Sequence, residues 1–268
     1  LVAHYIKKLK PNKAPDAYGV AAEHPKEADP ILAPMVATAI TKIYQTQKIP
    51  DNLKLGIITP IFKKKKDKQD PDNYRRITVN SMIGKIIDKD MVPPTRQAVA
   101  PTQSNRQFGF KQKISCVNAA LVLTETLMEA KDKKKPLHIA YMDTSKAFDQ
   151  VSHRELMCGL NKQGVQGPLW HMYDSAYTNI RSVVKWNGET SGEKLERQGI
   201  RQGNETSADA FNTRADPMLH TLNSHPDGFR IGSTNVAGIM VADDLMIASP
   251  TPHGLQSLVN IAQTDASR

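Results

Sequence analysis

Two short apolar segments, residues 237–242 and 245–248, are separated only by Asp243 and Asp244. Two runs of this length with so short a connection predict antiparallel strands joined by a tight turn. A turn that only reverses the chain favours Asn-Gly or Asp-Gly, whereas two adjacent carboxylates repel each other. Such a pair becomes favourable when a divalent cation neutralises it. The chain is therefore expected to contain a small antiparallel sheet with an acidic turn.

A second group of carboxylates follows another apolar segment. Residues 137–142 predict a strand that ends on Asp143, and Asp149 follows in the next stretch of the chain. If the two strand ends are adjacent, Asp143 and Asp243 bridge two Mg²⁺ ions about 3.5–4 Å apart, which stabilises both oxygens of a phosphoryl displacement. Carboxylate oxygens are ligands that suit Mg²⁺. Spacing alone leaves the alternative that Asp143 caps a helix and that Asp243 and Asp244 form an exposed turn.

The rest of the chain alternates predicted helices and strands. Residues 55–62 and 74–79 predict a hairpin with a basic loop, and Asn187-Gly188 is a second hairpin signal. A spacing of four between apolar residues predicts a first long helix. Its buried face is expected to carry Ile31, Met35, Ala39 and Ile43. Further helices are predicted at residues 82–91, 116–130, 152–164, 168–180, 207–222 and 255–262. This alternation predicts an α+β fold.

Charge is unevenly distributed along the 268 residues, with 36 Lys and Arg against 27 Asp and Glu, a net charge of +9. Two lysine blocks stand out. They consist of Lys63, Lys64, Lys65, Lys66 and Lys68, and of Lys131, Lys133, Lys134 and Lys135. Clustered lysines in a basic chain are the electrostatic footprint of a nucleic-acid binder. A solvated loop explains them equally well at this point.

Length and composition narrow the class of protein. A chain of this length is expected to form about two domains, and no apolar run approaches the ~20 residues of a membrane span. The two cysteines, Cys116 and Cys158, lack metal-ligand spacing and indicate a reducing, intracellular compartment. The first residue is Leu, which indicates a piece of a longer protein.

Six segments resemble motifs of one enzyme family, in the family's order. Residues 141–153, Tyr-Met-Asp-Thr-Ser-Lys-Ala-Phe-Asp-Gln-Val-Ser-His, resemble the first catalytic motif of reverse transcriptases from non-LTR retrotransposons and group II introns. Gln198-Gly-Ile-Arg-Gln-Gly with Phe211-Asn212 resembles their glycine-glutamine motif, and Ala242-Asp243-Asp244 their paired-aspartate motif. The upstream matches are residues 58–64 with 73–75, residues 107–110 (Gln-Phe-Gly-Phe), and residues 9–16. Together these matches cover nearly the whole chain.

The resemblance implies the fold of a polymerase right hand. Residues 1–136 are expected to form the fingers with an N-terminal extension, and residues 137–268 the palm. The palm is expected to be an antiparallel sheet backed by helices. Because the chain ends about two dozen residues after Asp244, the thumb is expected to be absent.

The resemblance also implies an RNA-directed DNA polymerase that uses an RNA template, a DNA primer and deoxynucleoside triphosphates. Asp143, Asp243 and Asp244 are the implied catalytic residues and ligands of Mg²⁺ or Mn²⁺. The implied nucleotide-binding residues are Lys63, Lys64, Lys65, Arg75, Phe148, Gln202 and Gly203. Phe148 stands where the family places the gate that crowds a ribose 2′-hydroxyl. The implied contacts to nucleic-acid backbone are Lys66, Lys68, Lys131, Lys133, Lys134 and Lys135.

The sequence also departs from the family pattern. Residues 204–208 (Asn-Glu-Thr-Ser-Ala) replace a proline-containing run, and Glu205 is expected to repel phosphate there. Val241 replaces an aromatic residue and Arg76 a proline. The altered run at residues 204–208 and the expected absence of the thumb favour an alternative, a catalytically inactive remnant that binds nucleic acid or protein. A third possibility, an RNA replicase, is disfavoured by Phe148 at the gate position.

Overall fold

The computed structural model of this protein describes residues 1–64 and 67–266. The chain forms two units, each built from two separate stretches. Unit 1 comprises Leu1–Ala100 and Phe148–Ala210, and unit 2 comprises Pro101–Ala147 and Phe211–Arg268. The sequence predicted a single boundary, between residues 136 and 137, whereas each observed unit combines two separate stretches of the chain. The assignment of fingers to residues 1–136 and of a palm to residues 137–268 stays a prediction.

Helices account for much of both units. In chain order they are α1 (Val2–Lys7), α2 (Glu23–Glu27), α3 (Asp29–Thr46), α4 (Met82–Val99), α5 (Cys116–Asp132), α6 (Ala147–Gln150), α7 (His153–Lys162), α8 (Gly167–Tyr177), α9 (Thr206–Ser224) and α10 (Pro252–Ala266). Short 3-10 turns cover Asp51–Lys54 and Pro71–Asn73. The predicted helices are thus present, with ends that differ by a few residues except in α4.

The sheet of unit 1 is mixed. Its strands are β1 (Leu55–Phe62), β2 (Tyr74–Asn80), β4 (Arg181–Trp186), β5 (Glu189–Thr190) and β6 (Lys194–Leu195). Strands β1 and β2 form the predicted antiparallel hairpin, while β1 and β4 run parallel. Asn187 and Gly188 form the predicted turn between β4 and β5, both with positive φ. Strand β6 also pairs with β4, in antiparallel orientation.

Unit 2 contains a three-stranded antiparallel sheet in the order β3, β10, β9. Its strands are β3 (His138–Asp143), β9 (Gly238–Val241) and β10 (Asp244–Ser249). The short strands β7 (Arg230–Ile231) and β8 (Thr234–Asn235) form a separate pair. Helix α10 packs on β10 and β3, and α5 on β9. Mixed α/β content with antiparallel sheets agrees with the predicted α+β class, because an apolar sheet face is covered by helices.

The buried face of α3 differs from the predicted one. Ile31, Met35 and Ala39 are exposed. Ile43 is buried as predicted, together with Val36 and Ile40. Four-residue steps advance about 40° past each full turn, because the helix has 3.6 residues per turn. A strict spacing of four therefore drifts off one face. The observed spacing of four and then three keeps the buried side chains on one face, and α3 packs against α1, α2 and α8.

Helix α4 is longer than predicted. The expected helix ends at residue 91, but α4 continues through Pro93 and Pro94 to Val99. The continuation is stabilised by burial, since Thr95 and Val99 are almost fully inaccessible to solvent. The Thr95 hydroxyl also hydrogen-bonds the Tyr173 hydroxyl over 2.9 Å. Tertiary packing here outweighs the local preference of proline against a helix interior.

Within the residues that the structure describes, no helix combines the length and the apolar character needed to cross a bilayer.

Candidate functional site

The acidic hairpin of unit 2 has a different turn from the predicted one. Ala242 and Asp243 form the turn, and Asp244 is the first residue of β10, paired with Val241. On its other side, Asp244 pairs with Asp143 of β3. Directly opposed residues of antiparallel strands lie about 4.5–5.5 Å apart and share a face of the sheet. The fold therefore brings Asp143 and Asp244 side by side, with Asp243 next to them in the turn.

These three carboxylates are available to a cation. Asp143 and Asp244 are exposed and Asp243 is half-buried. Over residues 1–64 and 67–266, no hydrogen bond or ion pair joins their side chains to another protein group. In the same part of the chain, no group of three His, Cys, Asp or Glu side chains is arranged to hold a metal ion. The donor chemistry thus fits a divalent cation, although the side chains are not gathered around a common point.

In unit 1, the glycine-glutamine segment lies along β2. The Thr78 N–H donates to the Gln202 carbonyl over 2.9 Å. Gly203 has a φ of 131°, and a Cβ at this position would lie 2.7 Å from the Thr78 carbonyl oxygen. Only glycine allows so close a backbone approach in that conformation. Gln202 and Gly203 are therefore held against the strand that also carries Arg75.

Phe148 is held by the same segment. Its carbonyl accepts a hydrogen bond from the Ile200 N–H over 2.8 Å, and the Val151 carbonyl accepts one from the Gly199 N–H over 2.7 Å. A Cβ on Gly199 would lie 3.0 Å from the Asp149 carbonyl oxygen. The side chain of Phe148 is half-buried. Unit 1 thus brings the predicted gate residue and the glycine-glutamine segment together.

Arg201 is a buried organising residue that sequence analysis missed. Its guanidinium donates to the Glu196 carboxylate over 2.9 Å and to the Asn80 side-chain oxygen over 2.7 Å. It also donates to the Arg181 carbonyl and the Ser182 hydroxyl. Arginine is rarely buried unless it is paired. Its position between Gly199 and Gly203, within the motif, was the one signal available.

The predicted phosphate-binding cations of the first hairpin are mostly solvent-facing. Arg75 is exposed on β2, opposite Ile61 of β1. Lys64 is exposed, and Lys63 is half-buried, with its ammonium 3.3 Å from the Asp72 carbonyl. The Lys68 ammonium lies 5.9 Å from the centroid of the Phe62 ring. Lys65 and Lys66 lie outside the described residues.

Arg76, which replaces a family proline, contacts the segment of the gate residue. Its Nε lies 3.8 Å from an Asp149 carboxylate oxygen. The pair is partly exposed, so its contribution to stability is small. It nevertheless places a cation beside Asp149, the residue after Phe148, that a proline at this position would not supply.

The second lysine block lies at the C-terminal end of α5 in unit 2. The ammonium groups of Lys133 and Lys135 lie 3.1 and 3.8 Å from the Glu129 carboxylate. Cations at a helix C-terminus are favourable for the helix itself. The local structure therefore accounts for part of this block. A role for Lys131, Lys133, Lys134 and Lys135 in binding nucleic acid stays a prediction.

A more concentrated basic surface was missed because its lysines are dispersed in the sequence. A cleft of about 310 Å³ in unit 1 has five lysines in its walls. They are Lys8, Lys10, Lys13, Lys85 and Lys89, here called the lysine cleft. Burial lowers the pKa of Lys85 and of Lys89. The charge of Asp88, which also lines the cleft, opposes the pKa shift of Lys89, and the charges of Lys8 and Lys10 add to it. Gly203 and Glu205 also line this cleft, so it adjoins the glycine-glutamine segment.

The expected repulsion of phosphate by Glu205 is offset in the structure. The Glu205 carboxylate forms an ion pair with the Lys89 ammonium. Beside it, the Asp88 carboxylate accepts the Glu205 N–H over 2.5 Å and also the Thr206 hydroxyl. These bonds cap the N-terminus of α9, where negative charge is favourable. The altered run at residues 204–208 is therefore held by side chains of α4.

The cap at Asp88 predicts a pH-dependent stability. Burial raises its pKa from 3.8 to about 6, and Thr206 opposes the shift. The folded state thus holds the proton more tightly than the unfolded state. The resulting stabilisation is complete below pH 3.8 and disappears as the pH rises through about 6. From pH 4 to pH 7, the wild-type chain is expected to lose about 2 kcal/mol of unfolding free energy relative to Asp88→Asn.

Urea unfolding of both proteins across this pH range measures the effect. Asp174→Asn, at an exposed aspartate of the same unit, is the matched control and is expected to run parallel to the wild type. Parallel curves for wild type and Asp88→Asn would show that this carboxyl titrates normally.

A family model described as "Reverse transcriptase (RNA-dependent DNA polymerase)" matches residues 63–268, which is 206 of the 268 residues. The chain therefore belongs to the reverse transcriptase family, and the membership predicted from the motifs is confirmed. Enzymes of this family generally use divalent metals.

The relatives include proteins of retrotransposable elements. The chain is 26% identical over 236 residues to the Retrovirus-related Pol polyprotein from type-2 retrotransposable element R2DM of Drosophila melanogaster, covering 88% of the chain and 22% of that protein. It is 27% identical over 254 residues to the Probable RNA-directed DNA polymerase from transposon X-element of the same species, covering 92% and 26%. The chain thus spans about a quarter of the length of these relatives.

Proposed function

We propose that this chain carries the polymerase active site of an RNA-directed DNA polymerase. It transfers deoxynucleotides to the 3′-hydroxyl of a DNA primer on an RNA template. The sheet of unit 2 is its palm, and β1 and β2 belong to its fingers. The observation that carries the proposal is the pairing of Asp143 with Asp244, beside Asp243, in a chain of the reverse transcriptase family.

The reaction joins the primer 3′-oxygen to the α-phosphorus of the nucleotide and breaks the bond from that phosphorus to the bridging oxygen. Pyrophosphate leaves, and the proton of the 3′-hydroxyl passes to solvent. Divalent metal held at the acidic hairpin would neutralise the charge that develops on the attacking and leaving oxygens. Asp143, Asp243 and Asp244 hold the metal in this proposal. Their side chains are solvent-accessible and rotate on a ps–ns timescale, so cation binding can gather them. The repulsion between apposed carboxylates is relieved at the same time.

Unit 1 supplies the groups that select and hold the nucleotide. Arg75 and Lys63 or Lys64 contact the triphosphate, where the planar fork of arginine suits phosphate oxygens. Gln202 and Gly203, fixed against β2, line the path of the nucleotide sugar and template. Phe148 clashes with a ribose 2′-hydroxyl, and exclusion by a clash is a general source of specificity. Its backbone hydrogen bond to Ile200 fixes the main chain from which the ring projects.

A second candidate function has its own supporting observation. The described acidic groups are not arranged as a ready metal site, whereas the lysine cleft collects five cations. A catalytically inactive chain that binds nucleic-acid backbone fits both facts. Clustered carboxylates without a counter-ion favour the enzyme, because they repel each other unless a cation binds.

Primer extension separates the two functions. The purified chain is given an RNA template, an annealed DNA primer, Mg²⁺ and either deoxy- or ribonucleoside triphosphates. Incorporation of deoxynucleotides in preference to ribonucleotides supports the enzyme. Binding of the template-primer without extension, under conditions where a full-length relative extends it, supports the binding module instead.

The lysine cleft gives a separate prediction about nucleic-acid binding. Replacing Lys8, Lys13 and Lys85 by Gln is expected to weaken the binding of single-stranded RNA. The slope of log affinity against log salt is expected to fall by about 2, because each lost phosphate contact on a single strand removes about 0.7. Weakening is expected to be similar for all RNA sequences, since phosphate contacts carry no base information.

Fluorescence anisotropy from 50 to 300 mM salt measures these slopes. The control replaces three exposed lysines of the same unit outside the cleft, Lys42, Lys48 and Lys194, by Gln, which removes the same charge. Equal slopes for the two triple variants would show that RNA affinity depends only on the net charge of the chain and that the cleft makes no direct phosphate contact.

A further inference from the structure

One buried side chain of unit 2 holds both backbone polar groups of Ala242, the residue before Asp243. Gln107 is fully buried. Its Oε1 accepts the Ala242 N–H over 3.1 Å, and its Nε2 donates to the Ala242 carbonyl over 3.0 Å. A carboxamide can meet both groups because it presents an acceptor and a donor together. The peptide unit that leads into Asp243 is therefore set by Gln107.

The turn needs such support. Ala242 has a φ of 59°, a left-handed conformation that costs a residue with a Cβ about 1 kcal/mol or more. It persists only where the surrounding structure determines it. Gly109 supplies part of that surrounding, since a Cβ there would lie 2.2 Å from the Ala242 nitrogen. The Gly109 N–H also donates to Gln107 Oε1 over 2.7 Å.

The two hydrogen bonds between Gln107 and Ala242, here called the clamp, are supported from two sides. The Phe108 N–H donates to the Met240 carbonyl over 2.8 Å, and the Met240 N–H donates to the Arg106 carbonyl over 2.9 Å. The segment carrying Gln107 is thus bonded to β9, the strand that leads into the turn. On its other side, Asn212 Nδ2 donates to the Gly109 carbonyl over 3.2 Å. Two sequence motifs, residues 107–110 and 211–212, therefore meet around the acidic hairpin.

We propose that Gln107 is a positioning residue that sets the backbone of Asp243 and thereby the affinity of the hairpin for divalent metal. This inference rests on the proposed function, in which Asp243 is a metal ligand. Without the clamp, Ala242 can relax from its left-handed conformation, and the Asp243 carboxylate then leaves the position beside Asp143 and Asp244. Groups that orient metal ligands typically change metal affinity or activity 10- to 100-fold when they are removed.

The test measures Mn²⁺ affinity directly, by titration of the whole chain followed by electron paramagnetic resonance. Gln107→Met keeps the length of the side chain but removes its hydrogen bonds. It is expected to weaken Mn²⁺ binding at least about 10-fold. Gly109→Ala, whose added methyl collides with Ala242, is expected to weaken binding similarly and carries the test if Gln107→Met does not fold.

Asn223 offers a matched control at the other end of β9. Its side-chain amide also clamps backbone, accepting from the Ala237 N–H over 3.1 Å and donating to the Gly238 carbonyl over 2.8 Å. Asn223→Leu is therefore expected to destabilise the unit while leaving Mn²⁺ affinity at the wild-type value. Equal losses of affinity in Gln107→Met and Asn223→Leu would overturn the inference, because destabilisation alone would then explain both.

Failure of the inference and failure of the proposed function give different results. If Asp243→Asn loses Mn²⁺ affinity while Gln107→Met and Gly109→Ala keep it, the metal site stands and the clamp is overturned. If Asp243→Asn binds Mn²⁺ as well as the wild type does, the proposed metal site is wrong and the inference falls with it.

Discussion

Asp243→Asn is expected to lower the rate of primer extension about a thousand-fold. Metal ions contribute several kcal/mol of charge stabilisation to a phosphoryl transfer, and each 1.36 kcal/mol corresponds to a factor of ten in rate. The substitution removes one negative charge from the hairpin turn while keeping the size of the side chain. Single-nucleotide extension on an RNA template, with rates fitted at saturating template-primer, measures the loss.

Thermal unfolding separates this loss from misfolding. Mg²⁺ at about 100-fold above its dissociation constant is expected to stabilise the wild type by about 2.7 kcal/mol, and Asp243→Asn is expected to lose most of that gain. The control is Asp227→Asn, at a partly exposed aspartate of the same unit, which is expected to extend primers and respond to Mg²⁺ normally. Extension by Asp243→Asn at the wild-type rate would contradict the proposed active site.

Arg201→Met is expected to destabilise the chain by about 3 kcal/mol. Breaking a buried ion pair by removing one partner typically costs 3–5 kcal/mol, because the other charge stays desolvated. Here the Glu196 carboxylate, with a side chain only 19% exposed, loses its cation, and Asn80 loses a donor. Since Arg201 immediately precedes Gln202, nucleotide use is expected to weaken as well. Urea unfolding at pH 7 measures the change in free energy.

A neighbouring arginine provides the control for this measurement. Arg197 lies four residues earlier in the same loop and is exposed, so Arg197→Met removes the same charge without breaking a buried contact. Its unfolding free energy is expected to change by less than about 0.5 kcal/mol. A similarly small change in Arg201→Met would mean that Glu196 reaches water or another partner once the arginine is gone.

These two predictions test the different roles that we propose for the two units. The acidic hairpin depends on unit 2 alone, since Asp143, Asp243 and Asp244 all belong to it. The segment with Arg201 and Gln202 depends on unit 1. We therefore expect Asp243→Asn to lose most of the response to Mg²⁺ at little cost in stability. Arg201→Met is expected to keep that response while its unfolding free energy falls.

The sequence by itself determined the local elements and the acidic hairpin. Short apolar runs predict strands. The connection between residues 237–242 and 245–248 is so short that it predicts a tight turn between antiparallel strands. The predicted turn was displaced by one residue, to Ala242 and Asp243. Both elements that carry the aspartates were nevertheless predicted, because their signals lie within a few residues of each other along the chain.

Only the tertiary structure decided which distant residues meet. The lysine cleft joins lysines that are up to 81 positions apart, from Lys8 to Lys89. The clamp joins Gln107 to Ala242 across 135 positions. The buried side of α3 and the continuation of α4 through two prolines also depend on the neighbours those helices contact. A local stretch of sequence determines its helix or strand propensity and the periodicity of its apolar residues. Which side chains are buried and which residues pair depends on how elements remote in sequence pack together. Those tertiary contacts outweigh local preference.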